Sequence, residues 1–149
     1  MASSTVMLIE DAADDAELIS QALADDIPRE QILVFADGVA ALDYLFCRGA
    51  HADRDPAELP AFILLDLKLP RLSGFDILKE IRGNDLTHLI PITVLSASDD
   101  ADDVRTAAML GANSYVHKAG DFARQRDDLA RLARYWLDLN IPPPASARH

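Results

Sequence analysis

The chain has 149 residues, half of them apolar and about a quarter charged, a length that suits one domain and a composition that excludes a disordered chain. Fourteen lysines and arginines against 25 acidic residues leave a formal net charge of −11, which argues against unaided nucleic-acid binding and against an anionic membrane surface as partner. The single cysteine, Cys47, excludes an internal disulfide and a cysteine-built zinc site. The start lacks the basic segment of a signal peptide and no apolar stretch approaches the length of a membrane span, so a cytoplasmic location is expected.

In chain order, five short apolar runs alternate with amphipathic stretches. The first run, Thr5 to Ile9, precedes a helical pattern with Leu18, Ile19, Ala22 and Leu23 on its apolar side. Gln31 to Phe35 is the second, followed by a helix carrying Val39, Leu42, Leu45 and Phe46. Cys47 reads as a packed residue of that helix rather than a reactive thiol. Residues 47–60 (CRGAHADRDPAELP) show no period and contain two prolines and a glycine, which predicts a surface insertion. Ala61 to Leu65 leads into a helix with Ile77, Leu78 and Ile81, and Ile92 to Leu95 into one with Val104, Ala107 and Ala108. Asp99, Asp100, Asp102 and Asp103 read as the capped, solvated first turn of that fourth helix. Ser114 to Val116 precedes a long helix with Leu129, Leu132, Ala133, Trp136 and Leu137 on one side, and three prolines from Pro142 end it in a tail, residues 139–149. The first, third and fourth runs are nearly unbroken, as in strands buried on both faces. Five βα repeats of this kind predict an α/β fold with a doubly wound parallel sheet between helix layers.

Ligands in open α/β sheets bind at the carboxyl ends of the strands. Those ends carry Glu10 and Asp11 after the first strand, Asp66 after the third, Ser96 at the fourth and Lys118 after the fifth. The turn Asp11-Ala12-Ala13-Asp14-Asp15 has no glycine-rich phosphate loop and would repel a dinucleotide. Converging carboxylates repel one another until a hard divalent cation relieves them, and Mg²⁺ suits such a set. An aspartate beside that ion can act as a nucleophile on phosphorus, while an ammonium and a hydroxyl neutralise and bond the phosphoryl oxygens. The pattern reads as phosphoryl transfer to an aspartate.

With acid pair, aspartate, hydroxyl and lysine in this order, the chain resembles the receiver domain of two-component response regulators over residues 5–138. The motif Leu65-Asp66-Leu67-Lys68-Leu69-Pro70, with Gly74 four residues past the proline, carries the resemblance. It implies a flavodoxin-like (βα)5 fold with strand order 2-1-3-4-5 and Asp66 as phosphoacceptor. It further implies Mg²⁺ held by Asp11 and Asp66, by Glu10 through water, and by the backbone carbonyl of Lys68. Lys118 would pair with the phosphoryl group and Ser96 would hydrogen-bond it. Ser96 and Tyr115 would form the switch, the tyrosine turning inward on activation. The donor would be a histidine kinase, and the only catalysis that of the protein's own phosphorylation and dephosphorylation.

The segment before the third strand and Tyr135-Trp136-Leu137 followed by Ile141-Pro142 are similar to the single-domain regulators associated with bacterial and cyanobacterial phytochromes. That implies a phytochrome-type kinase and, with no output domain expected after the receiver, output through protein contacts or dephosphorylation of the kinase. Receivers usually follow the lysine with a proline in a cis bond, whereas here it is Lys118-Ala119. A non-proline cis bond costs about 3–4 kcal/mol, so the loop either stores that strain or runs trans with a shifted lysine. Of two rivals, the sequence rejects the first and leaves the second open. A phosphatase of the haloacid-dehalogenase type needs an aspartate two residues after the nucleophile, and position 68 is lysine. A receiver-like interaction module that is not phosphorylated would keep the fold without the chemistry. Finally, Tyr135, Leu139 and Ile141 lie past the stretch that the last helix needs to cover its sheet, which predicts a homodimer through the C-terminal helix.

Overall fold

Side chains of the first strand, β1 (Val6–Ile9), alternate between two cores, Val6 and Leu8 on one face and Met7 and Ile9 on the other. The computed structural model describes residues 5–118 and 120–144. It places β1, β2 (Ile32–Phe35), β3 (Phe62–Leu65), β4 (Ile92–Ser96) and β5 (Ser114–His117) in one parallel sheet of order β2-β1-β3-β4-β5. This is the expected flavodoxin-like arrangement. Helices α1 (Ala13–Leu23) and α5 (Phe122–Arg134) cover the Val6 and Leu8 face. Helices α2 (Gly38–Leu45), α3 (Gly74–Arg82) and α4 (Ala101–Met109) cover the other. The chain runs outward from β1 to β2 and then crosses back over β1 to β3, so strand order reverses between β1 and β3 and opens a crevice at their carboxyl ends. The central strands β1, β3 and β4 are buried throughout, while β2 and β5 are partly exposed edges. β2 (ILVF) is as apolar in sequence as the central strands, so its partial exposure comes from its place at the sheet edge.

Helix phase departs from the expected faces at four residues, Ala108 of α4 being exposed as well as three larger ones. Leu18, Val39 and Val104 are 37–39% exposed. In their place α1 buries Ala16 and Ser20 beside Ile19, Ala22 and Leu23, and α4 buries Ala107. In α1 the buried Ala16, Ile19, Ser20 and Leu23 are spaced i, i+3, i+4 and i+7, which leaves Leu18 off the stripe. Cys47 is also not a helix residue: α2 ends at Leu45, and Cys47 follows half-buried with φ +55°.

Residues 47–60 form an ordered surface segment despite their lack of period. Arg54 donates to the Tyr44 carbonyl (2.8 Å) and the Leu45 carbonyl (3.2 Å) at the end of α2, and to the carbonyls of Asp55 and Glu58 within its own loop. Its guanidinium also stacks over the Tyr44 ring at 4.3 Å, and the His51 ring packs edge-on against Tyr44 and Phe35.

At the other end of the chain α5 passes into a π turn, Tyr135–Leu139. Trp136 belongs to the core, its Nε1 donating to Thr93 Oγ1 (3.1 Å) and its ring 6.5 Å from that of Phe62. Tyr135, Leu139 and Ile141 are 44%, 73% and 90% exposed. The Lys118-Ala119 peptide and residues 145–149 of the tail lie outside the described residues. No helix among the described residues is long and apolar enough to cross a membrane.

Candidate functional site

The sheet hands its ladder on for one residue beyond β1 and β3. Glu10 N donates to the Phe35 carbonyl and Asp66 N to the Ile9 carbonyl, each at 3.0 Å. Both side chains are therefore delivered into the crevice by pinned backbone. Glu10 is 3% and Asp66 8% exposed, whereas Asp11, one residue further out, is solvent-exposed. Carboxylate oxygens of Glu10, Asp11 and Asp66 all lie within 4.8 Å of one another, a constellation found at this one place among the described residues.

Gly74 explains the motif that follows Asp66. A Cβ there would lie 2.5 Å from the Asp66 carbonyl oxygen and 2.7 Å from Leu67 Cα. The first turn of α3 thus rests against the peptide leaving the aspartate, an approach that only glycine permits. Gly74 N donates to the Leu67 carbonyl (2.9 Å), and a reciprocal Ser73–Asp76 capping box starts the helix. The intervening loop carries Arg71 at φ +66°, which pairs at 2.9 Å with Asp37, the N-cap of α2. The Ala40 N–H and the Arg71 charge hold that carboxyl below its ordinary range.

β4 contributes Ser96, 1% exposed, whose Oγ accepts from Ser98 N (3.1 Å). Lys118 N donates to the Ser96 carbonyl (2.7 Å), so the lysine leaves the sheet beside the serine. Its Nζ lies 2.6 Å from Glu10 Oε1 and 3.1 Å from Asp15 Oδ2. Tyr115, half-buried against the α2–α4 core, donates its hydroxyl proton to the Ser98 carbonyl (2.7 Å). The acidic run resolves as expected into a cap: Asp100 accepts from Asp102 N, and Ser98 donates to Asp103 (2.7 Å).

All the residues singled out from the sequence therefore stand at this edge. Asp15 was missed as a partner of Lys118. It reads in the sequence only as negative charge in the first turn of α1, where the helix dipole already accounts for it. Burial raises the Glu10 carboxyl above its ordinary range, as does repulsion from Asp66, against the opposing pull of Lys118 and the Ala12 N–H. For Lys118 burial works the other way, yet the Glu10 hydrogen bond, the charges of Asp66 and Glu10, and the Asp15 hydrogen bond outweigh it and raise the pKa of the ammonium.

Two nearly buried carboxylates and one exposed one, with a single ammonium paired to Glu10 alone of the three, form a hard-oxygen set with more negative charge than its protein partners balance. Such a set fits Mg²⁺ or Mn²⁺. Residues 6–130 match the family described as response regulator receiver domain. The chain belongs to that family. Response regulator Rcp1 of Synechocystis is 31% identical over 144 residues, which span 94% of this chain and 93% of Rcp1. The crystal structure of Rcp1 in its Mn²⁺-bound form matches with a TM-score of 0.83 at 29% identity, over 94% of this chain and 99% of that one. The phosphorylated cyanobacterial phytochrome response regulator RcpA matches with a TM-score of 0.87 at 31% identity, over 95% of this chain and 99% of RcpA. The bacteriophytochrome response regulator RtBRR is 36% identical, with a TM-score of 0.73, over 98% of this chain and 87% of RtBRR. This receiver is thus a signalling module similar over nearly its whole length to phytochrome response regulators. Receiver domains bind divalent metal in their active site and partner histidine kinases, and the acidic edge of this one has the matching composition.

Proposed function

We propose that Asp66 accepts a phosphoryl group from the phosphohistidine of a phytochrome-type histidine kinase. The supporting observation is the nearly buried Asp66 carboxylate at the β1/β3 crevice, within 4.8 Å of Glu10 and Asp11 carboxylates and beside the Lys118 ammonium held on Glu10. An Asp66 oxygen attacks phosphorus; the O–P bond forms as the N–P bond breaks, and the leaving imidazole takes a proton. Lys118 pairs with one phosphoryl oxygen and Ser96 Oγ donates to another. Asp11, Asp66, the Lys68 carbonyl and, through water, Glu10 would hold Mg²⁺, which would supply charge neutralisation for the phosphoryl oxygens. Hydrolysis returns Asp66 and inorganic phosphate when water attacks phosphorus and the acyl O–P bond breaks. Ser96 and Tyr115 form the switch, since the Tyr115 hydroxyl already holds the loop two residues past Ser96.

The test is transfer from a kinase labelled on its histidine, phytochrome-type first. Label is expected on this chain in the presence of Mg²⁺ and is expected to disappear with a chelator. Failure to take label from any kinase and from acetyl phosphate favours the interaction module that carries no phosphate.

The metal assignment has its own readout. At about a hundredfold excess over its dissociation constant, Mg²⁺ is expected to stabilise the fold by about 2.7 kcal/mol. Asp11→Ala is expected to raise the metal-free melting temperature, because it relieves repulsion, while removing most of the gain on adding Mg²⁺. Equal gains in both proteins place the ion elsewhere.

Dimerisation through the end of α5 belongs to the same reading. Tyr135, exposed like Leu139 and Ile141, lines a groove of about 770 Å³ together with Tyr115, His117, Arg124 and Leu132. A closed two-fold pair buries that surface on both copies. Light scattering is expected to give a dimer for the intact chain and a monomer for the double variant Leu139→Asp, Ile141→Asp, which keeps Ala133 and Trp136 packed on the sheet. A monomer for the intact chain at tens of micromolar, phosphorylated or not, overturns it.

A further inference from the structure

Lys118 is held by two carboxylates of different kinds. Glu10 is the buried partner, with 2% of its side chain exposed, and belongs to the acidic triad that suits a metal ion. Asp15 is the rim partner, 46% exposed, and stands outside that triad. Among the described residues these two are the ionic partners of Lys118 within 4.0 Å, and Asp66 acts on it only from further away. A carboxylate that shares its electron pairs with a divalent cation, directly or through water, attracts an ammonium less strongly. Cation binding at the triad therefore loosens the Glu10 hold and leaves the Asp15 hold intact.

We propose that Asp15 is a positioning residue that keeps the Lys118 ammonium at the rim of the crevice, in competition with the phosphoryl group on Asp66. The inference rests on the phosphoacceptor reading above and deepens it. An ammonium has three N–H donors, of which two point at carboxylates here. To serve phosphoryl oxygens it gives up one of these bonds or stretches its third donor away from both. Glu10 can be satisfied in exchange by the cation. Asp15 receives only water in exchange, so its loss of the ammonium is a cost of the phosphorylated state that the cation does not offset. Sequence position supports the geometry: Asp15 is the third residue of α1, and the turn from Asp11 to Ala13 is short enough to bring that first helical turn back over the crevice. Asp14, its equally acidic neighbour, has no ion pair with Lys118, so charge in the turn is not by itself what the contact requires.

The experiment titrates beryllofluoride, a phosphoryl mimic, into the full chain at saturating Mg²⁺, read by calorimetry and fluorine NMR. Asp15→Asn keeps shape and removes charge at a half-exposed position. It is expected to tighten beryllofluoride binding about two- to fivefold, the range of exposed ion pairs. The gain is expected to shrink as salt rises, because the pair lies at the rim and is screened. Asp15→Glu is expected to restore the wild-type affinity. In a Lys118→Met background Asp15→Asn is expected to leave affinity unchanged. Glu17→Gln, which removes equal charge from α1 at a residue paired with Arg29 and Gln21, is expected to change nothing. Unchanged or weaker binding by Asp15→Asn overturns the proposal, and so does an equal gain without the lysine, which reduces Asp15 to bulk charge. If the wild-type chain itself fails to bind beryllofluoride, the phosphoacceptor reading falls and this one with it. If wild type binds and Asp15→Asn binds equally, only the role of Asp15 falls.

Discussion

Asp66→Asn is expected to bring labelling by phosphohistidine and by acetyl phosphate down to background while leaving the fold intact. The amide has the volume of the carboxylate, and its oxygen can still accept from Lys68 N, which approaches Asp66 Oδ1 at 3.4 Å. What it lacks is a nucleophilic oxygen, so no O–P bond forms. Stability moves in the opposite direction to activity. Asp66 shares a 4.8 Å cluster with Glu10 and Asp11, and removing one of three like charges relieves about 1 kcal/mol even at the dielectric of water. For a chain of this size that raises the melting temperature by about 2–4 °C in the absence of metal. Thermal unfolding and a transfer assay on the same preparation check both signs. A variant that melts higher but still takes label at the wild-type rate places the nucleophile elsewhere.

Arg82→Ala is expected to destabilise the domain by about 3 kcal/mol, through several hydrogen bonds lost together rather than through an ion pair. Arg82 closes α3, and its guanidinium reaches two loops at the amino end of β4 and β5. It donates to the carbonyls of His88 (2.9 Å), Ile90 (2.8 Å) and Gly111 (2.9 Å) and to Asn113 Oδ1 (2.8 Å). Among the described residues no carboxylate pairs with it, and burial lowers its pKa from the ordinary arginine value. Asn113 Oδ1 also accepts from Ile92 N at the start of β4 (2.8 Å), so the loss spreads into the sheet. Gly111, at φ +104°, lies beneath the arginine stem, where a Cβ would come within 2.9 Å of Arg82 Cγ. Removing the stem therefore also leaves a gap. The melting temperature is expected to fall by about 6–12 °C. Arg82→Lys, which keeps the charge but not the fork of donors, is expected to recover less than half of the loss. A melting temperature within about 2 °C of wild type for Arg82→Ala contradicts this account.

Both predictions concern residues whose importance was unequally visible beforehand. Asp66 stands out in the sequence because four apolar residues deliver it from the core, and Gly74 stands out because its spacing from Pro70 belongs to a recognisable motif. Arg82 does not stand out. In sequence it is one more basic residue in the last turn of a helix, where the dipole is reason enough for it. Its four acceptors lie 6 to 31 residues away along the chain, and three of them are carbonyls, which every residue possesses. The same holds for Arg54. Residues 47–60 lack a period because their order comes from one guanidinium binding the exposed carbonyl end of α2, not from a repeating apolar face.

The amino-acid sequence by itself determined the five βα repeats, the burial of β1, β3 and β4, and the acids, hydroxyl and amine at the carboxyl edge. These follow from local patterns: an apolar run long enough for one strand, and the residue at which it stops. Tertiary structure alone decided three things. It set the phase of α1, α2 and α4, where Leu18, Val39 and Val104 fall outside the stripe that meets the sheet. It placed Trp136 in the core, because Thr93 offers a hydroxyl to its Nε1 from a strand 43 residues away in sequence. It also drew Lys118 onto Glu10 and Asp15, more than 100 residues distant. An ammonium goes to whichever carboxylates the fold brings within reach, and that distance exists only once the sheet has closed.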